Sequence, residues 1–552
     1  MDSKERMTKS SKIILAIAIF AFLVRIVGID YGLPLMLIHD EPPAVFGALK
    51  MIELKTLLPV LHESEFKSVL YYPPYLSYVY VPFFSLAVGF KYLTVSHDMS
   101  LLKNLLIADP SIFFLIARLI SALLGALTVY LVYLIGRRLF ESEKVGILSA
   151  LFLAFSYVHN MYSHWGRHWI AVTFIFTLVI YFLTKREWSD KTRYLLAVLA
   201  LGLGVGINFQ IAVGVLILPL WFIFIDRKSI KEAIRMPWVW AALALFVSLG
   251  AIAYLVYPSG FVVASTDVVN GTKNLAGFLL GYVFHLSNLL SNDPMILIFL
   301  LVGGVLAFKN RQSFAKVALS FILLYIGIFY ILLFQVDRYI IMLYPIFALL
   351  AGYGLSQIKS KILIISVFVF SGIMVLRYDQ LLLKGDTRTQ ALEWISKYVS
   401  PRTRVVTMVD KLRVPSIPEA ISEQERIDPG SLRSADRAER ENLNKENYYA
   451  LNLYTVRNDE FNLNVPKYLS DNKFQYLVID KNFAASKNLS SLTSLGGLAS
   501  KFDGYDEESG DVANWFGGGL YARETIPWFH SGLLRLWQIP NPGPTLEIRR
   551  IY

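Results

Sequence analysis

The run Ile112-Phe113-Phe114-Leu115-Ile116-Ala117-Arg118-Leu119-Ile120-Ser121-Ala122-Leu123-Leu124-Gly125 continues without another charge to Gly136 and closes on Arg137-Arg138-Leu139-Phe140. Its apolar length exceeds the roughly 20 residues that span a bilayer's hydrocarbon. Arg118, in its first turns, is expensive at that depth, where such a residue usually has a partner. Arg137-Arg138 mark the far end as cytoplasmic, because short loops rich in Lys and Arg stay inside. One segment thus gives both a fold class and a direction.

Comparable apolar runs fall near 12–29, 74–95, 144–162, 168–185, 193–208, 209–226, 236–257, 275–291, 293–308, 314–334, 338–356 and 360–378. The composition agrees: 55% of the 552 residues are hydrophobic and 17% charged, against about 25% charged in soluble domains. The first run contains Arg25 and lacks a small-residue cleavage site, so it reads as a retained helix. There is no cysteine, which excludes disulfides, thiolate metal sites and a cysteine nucleophile, and which favours a prokaryotic source. The net charge of +11 sits mostly in short loops beside helices, so topology explains it without a nucleic-acid partner.

The N-terminal Lys4, Arg6, Lys9 and Lys12 belong inside with the basic loops around 137–144, 185–193, 227–235, 309–311 and 359–361. All can lie inside only if two runs do not cross. The Tyr-rich 74–95 and the polar-interrupted 275–291 suit the interface, leaving about eleven crossings. The N-terminus is then cytoplasmic and the C-terminal segment extracytoplasmic, in a prokaryotic plasma membrane. Residues 1–378 form the membrane module and 379–552 an outer domain. In that domain the amphipathic stretch Thr389 to Val399 precedes β-like runs at Arg404 to Val409, Tyr448 to Val456, Phe474 to Ile479 and Leu546 to Ile551. The fold class is therefore a polytopic all-α membrane protein with outer interfacial helices and a C-terminal α+β domain.

Chemistry concentrates on the outer side. His39-Asp40-Glu41-Pro42 follows the first helix, and Pro42-Pro43 would stiffen the loop that holds its two carboxylates. Asp40 can take a proton from an attacking hydroxyl, with Glu41 beside it. Arg118, Arg167, Arg338 and His285 are candidates for a phosphate, which Arg grips bidentately. Tyr72, His164, Trp165 and Tyr339 are candidates for substrate contact. His164 and His168 at i,i+4 could share a helix face, but no third ligand accompanies them. Plainer roles compete with each of these: a solvated turn for the carboxylates, snorkelling for Arg118, an aromatic belt for the tryptophans. No Walker loop, nucleophile elbow, zinc-protease or dinucleotide fingerprint occurs.

These residues resemble lipid-dependent GT-C glycosyltransferases. His39-Asp40-Glu41 is similar to their Asp-Glu signature and Tyr72-Pro73-Pro74-Tyr75 to their Pro-Pro segment. The Ala117 to Gly125 and Gly136 to Phe140 segments resemble the glycosyltransferase family 39 group, which includes protein O-mannosyltransferases and lipid A aminoarabinose transferases. Arg338-Tyr339 through Pro345, and Asp386-Thr387-Arg388 with Ala391 and Trp394-Ile395, extend the likeness over most of residues 1–400. The resemblance implies an inverting transfer from a polyprenyl- or dolichyl-phosphate sugar, with Asp40 as base, Glu41 positioning it and Arg118 near the donor phosphate. The acceptor would be a protein, glycan or lipid. The turn Tyr162 to Trp169 lacks the second acidic residue that metal-dependent members carry. No cofactor is therefore expected, a divalent ion remaining an alternative. A lipid-linked sugar flippase or transporter and a non-catalytic membrane scaffold are the other functional classes.

Overall fold

A computed structural model describes residues 9–262, 275–332, 337–440, 447–480, 492, 494–504 and 533–552. Among these, five helices are long and apolar enough to cross a membrane, or up to six if one bent pair forms a single span. The chain is an integral membrane protein. Helix Ser111–Leu139 runs the length of the bundle, packed against helices Lys9–Ile26, Glu143–Ala154 and His168–Leu183.

The centre is helix Tyr344–Ser356, in which every side chain from Tyr344 to Leu355 is buried. Lipid supplies little hydrophobic drive between helices, so close backbone approach through small residues has to bind them. A Cβ on Gly303 of helix Pro294–Lys309 would lie 1.9 Å from the Leu350 carbonyl oxygen. One on Gly352 would lie 2.6 Å from the Ser149 nitrogen.

Helix Glu143–Ala154 breaks and resumes as Tyr157–Ser163, bent by 61°. The Asp293 carboxylate closes the break, accepting from Ser156 Oγ (2.9 Å) and from the N–H groups of Tyr157 (2.8 Å) and Val158 (3.1 Å). This break sends the chain sideways into the 160–168 turn.

Two runs expected at the interface form regular helices, Tyr75–Thr94 and Leu275–Asn292, and the first is itself long and apolar enough to cross. The run from 209 begins as a 3-10 turn, Phe209–Leu216, before helix Ile217–Phe224. The basic loops gather at one end: Lys144 donates to the carbonyls of Ser356 and Ile358, Arg138 pairs with Glu187, and Arg193 with Asp226. Arg118 and Asp40 lie at the other, since Arg118 and Arg138 stand at opposite ends of one helix.

After helices Lys361–Lys384 and Thr387–Tyr398, strands β1 (Arg404–Met408), β2 (Tyr449–Asn452), β3 (Tyr476–Asp480), β4 (Gly497–Phe502) and β5 (Leu546–Arg550) form one sheet in the order β2-β1-β3-β5-β4. β2, β1 and β3 are parallel; β5 is antiparallel to both β3 and β4. Alternation fills two cores. Val406, Leu451, Leu477 and Ile479 pack on one face, Val405, Ala450, Val478 and Ile548 on the other, beneath helix Thr387–Tyr398. The domain docks through polar bonds: Tyr31 Oη donates to Asp386 (2.7 Å), and Arg377 to the Leu536 and Ile539 carbonyls. The sequons Asn270-Gly271-Thr272 and Asn488-Leu489-Ser490 lie outside the described residues.

Gly303→Ala is expected to destabilise the bundle by about 1–3 kcal/mol, the usual cost of overpacking, because the obstructing atom is main chain. Thermal unfolding in detergent would read this; an unchanged midpoint would contradict the close approach.

Candidate active site

Leaving helix Lys9–Ile26, the chain turns at Gly28 (φ 64°), where a Cβ would meet Leu382 at 2.6 Å, and arrives at Asp40 with φ 60°. That left-handed conformation is uncommon outside glycine, and Asp is among the residues that tolerate it. Pro42 and Pro43 open helix Pro42–Leu54, where proline loses no hydrogen bond. The prolines therefore start a helix at the position expected to be a stiff loop.

The two neighbouring carboxylates have opposite surroundings. Glu41 is fully buried, accepting from Arg118 Nε (2.9 Å), Arg118 Nη2 (2.7 Å) and the Gly166 N–H (2.8 Å). Arg118 also donates through Nη1 to the carbonyls of Ile29 (2.7 Å) and Tyr31 (2.8 Å). Arg118, expected against a donor phosphate, is thus occupied by Glu41 and two carbonyls. Glu41, expected beside Asp40 as catalytic, faces inward and binds the fold together. The pair joins the 29–41 turn, helix Ser111–Leu139 and the 163–168 turn.

Asp40 faces the other way, a third of its side chain exposed, and accepts from Arg167 Nη2 at 2.5 Å. Burial pushes its carboxyl upward, but Arg167 first, then Arg338, His168 and His39, outweigh this and hold it below the ordinary carboxylate range. Burial, followed by the Lys411 charge, pushes His39 down to about 4, so its ring is neutral at pH 7.

Aromatic contacts continue the site. Tyr72 lies against His168 (4.6 Å between ring centroids), and His168 against Trp169 (4.3 Å). Trp169 lies under the Arg338 guanidinium (5.9 Å) and against Tyr339 (5.8 Å). Trp165, buried against Tyr162, carries the Arg167 guanidinium on its ring (5.9 Å). Arg167 Nε, His168 Nε2 and Trp169 Nε1 are all buried without a hydrogen-bond partner in the protein. Buried polar groups are ordinarily paired, and two obligate donors, Arg167 Nε and Trp169 Nε1, beside an imidazole nitrogen that can take either role, are suited to a ligand rich in acceptors.

Two expected residues have other surroundings. His164 Nδ1 contacts the Asn160 carbonyl (2.9 Å), and its Nε2 contacts Val27 O (3.1 Å) and lies 3.7 Å from Asp379, in a buried network with Arg25 and His159. The ring expected to bind substrate is held by the fold. The Trp165–Arg167 turn separates it from His168, so the two imidazoles do not share a helix face. His285 is buried on helix Leu275–Asn292, which packs against the 3-10 turn Asp337–Leu343 carrying Arg338. Among the described residues, no three His, Asp or Glu side chains group to hold a metal ion.

Sequence reasoning missed Lys411. Its Nζ donates to the carbonyls of Leu37 (3.2 Å) and Met36 (3.4 Å) and touches His39 Nε2 (3.4 Å). Nothing local marks a lysine 370 residues away as a neighbour of Asp40.

Residues 111–254, which include Arg118 and Arg167, match the family model of the dolichyl-phosphate-mannose-protein mannosyltransferases. An uncharacterized protein of Aquifex aeolicus is 28% identical over 275 residues, 47% of this chain. The match spans 52% of that relative's length. Among solved structures, the oligosaccharyltransferase of Archaeoglobus fulgidus superposes with a TM-score of 0.46 at 12% identity, over 90% of this chain and 74% of that one. ArnT from Cupriavidus metallidurans bound to undecaprenyl phosphate gives 0.45 at 12%, over 86% and 94%. The family match falls on the Ala117 to Gly125 and Gly136 to Phe140 segments and bears out the resemblance that they carry.

Breaking the Glu41–Arg118 pair from either side, as in Glu41→Gln or Arg118→Leu, is expected to cost about 3–5 kcal/mol by stranding a buried charge. The double variant should lose less than the sum of the two. Additive losses in a double-mutant cycle would show that the pair is uncoupled.

Proposed function

We propose that this protein is an inverting glycosyltransferase that moves a sugar from a polyprenyl- or dolichyl-phosphate carrier to an acceptor hydroxyl on the outer membrane face. The observation that carries the reading is the Asp40 environment: a partly exposed carboxylate paired with Arg167, beside buried donors without partners. Gathering of the basic loops at the opposite end supports an extracytoplasmic site and a cytoplasmic N-terminus.

In this reading Asp40 takes the acceptor's proton as its oxygen attacks the anomeric carbon. The bond from that carbon to the phosphate oxygen breaks, and both electrons leave with the lipid phosphate. Arg167, with Arg338 and the Trp169 N–H, stabilises the negative charge gathering on the leaving phosphate. Tyr72 and Tyr339, in line with the aromatic wall, are placed to border the sugar. His285 supports the Arg338 turn from behind. Glu41 and Arg118 act by fixing the Asp40 backbone.

A flippase would need polar residues in broken helices near mid-membrane. The break at 155–156 is stitched shut by Asp293, which favours a static site.

Asp40→Asn should lower transfer by at least about 10²–10⁴-fold, the usual contribution of a positioned base, while labelled donor still binds. Transfer at wild-type rate would reject the base assignment. Because a base must be ionised and Arg167 favours the ionised form, activity should persist to pH values below the ordinary carboxylate range before falling. Arg167→Gln removes that positive charge, so the acid limb should move to higher pH. An unmoved limb would place the titrating group elsewhere.

A further inference from the structure

β1 and β3 are adjacent parallel strands whose chains depart in opposite directions, β1 toward β2 and β3 toward β4. The crevice beyond the carboxyl ends of such strands is where open α/β sheets hold ligands. Here the chain leaving β1 reaches the turn that carries Asp40. Lys411, three residues past the end of β1, is the residue bonded to the Met36 and Leu37 carbonyls and touching His39.

The strand ends carry a compact polar set. Asp410 follows β1 and pairs with Arg433 at 3.8 Å; Tyr454 follows β2; Asp480 ends β3. Asp410, Asp480 and Arg433 all act on the Tyr454 hydroxyl, so the four groups share one region. Asp410 also acts electrostatically on His39, the chain neighbour of Asp40. Asp410 and Arg433 have side chains 24% and 43% exposed.

We propose that this crevice is the acceptor subsite, and that it takes the hydroxyl groups of a neutral glycan. The inference rests on the transferase reading above. Two carboxylates, Asp410 and Asp480, stand against two cations, Arg433 and Lys411, with a phenol between. A phosphorylated acceptor would meet the carboxylates, and a basic one the cations. Sugar hydroxyls, which both donate and accept, match a set of alternating sign. Lys411 holds the crevice against the His39-Asp40 turn, so an acceptor seated on the strand ends would present a hydroxyl to the base.

The test uses the full-length protein in nanodiscs, a short-chain polyprenyl-phosphate hexose, and neutral di- to tetrasaccharides as acceptors, with a Ser/Thr peptide alongside. The expected result is transfer to an oligosaccharide. Tyr454→Phe and Asp480→Asn should then each raise the oligosaccharide KM about tenfold, as for one lost hydrogen bond to substrate, and change it more than kcat or donor KM. Asp40→Asn should instead remove kcat. Labelling of the peptide alone, or an unchanged oligosaccharide KM in both variants, overturns the subsite and leaves the transferase reading intact. Full transfer by Asp40→Asn would overturn the reading beneath it. If Asp480→Asn melts early, Tyr454→Phe, which removes a single oxygen, decides alone.

Discussion

The buried Glu41–Arg118 pair is the constraint on which the rest of the Asp40 end depends. It lies where neither charge can reach water, so each is tolerable only in the other's company. Four hydrogen bonds from Arg118 and three to Glu41 tie together the turn after the first helix, the start of helix Ser111–Leu139, and the turn at Gly166. Removing either charge strands the other at the point where the three segments meet. The directions of Asp40 and Arg167 are consequences, since each is the chain neighbour of a residue bonded to the pair.

A division of labour between adjacent carboxylates follows. Glu41 is immobilised by donors on every side and has no lone pair facing solvent. Asp40, turned outward by its left-handed backbone, retains exposure and one strong partner. Environments that separate two like groups in this way suit them to different roles, and in the proposed reaction Glu41 fixes geometry while Asp40 takes the proton. The same arrangement explains how a buried, ion-paired carboxylate and a partly exposed one occupy two consecutive residues.

Much of this was legible in the sequence. Arg118 within an apolar run asked for a partner, and a lipid phosphate was the one expected. What the sequence withheld was which anion. A lipid phosphate and Glu41 satisfy the same electrostatic requirement, and only three-dimensional proximity selects the second. The strand runs at 404, 448, 474 and 546 were readable because alternating burial leaves a period of two; β4 was not, because most of its side chains are exposed and it shows no apolar alternation. Lys411 was illegible for another reason. Its meaning lies in a contact between modules that no spacing encodes, and the helix break at 155–156 was hidden because the apolar run continues through it.

Arg167 looks at first like an obstacle to Asp40 as a base, because a strong ion pair makes a carboxylate less basic. The geometry suits the opposite use. Arg167 holds the Asp40 carboxyl below its ordinary range against the upward push of burial. A donor phosphate drawing on the same guanidinium would weaken that hold and return basicity to Asp40. Arg167 has the means to serve both, with Nη2 on Asp40 and a buried Nε unpaired. The base would be quiet while the site lacks donor and stronger once the phosphate is seated. In the proposed reaction such coupling would tie the basicity of Asp40 to the presence of donor, through one guanidinium shared between carboxylate and phosphate.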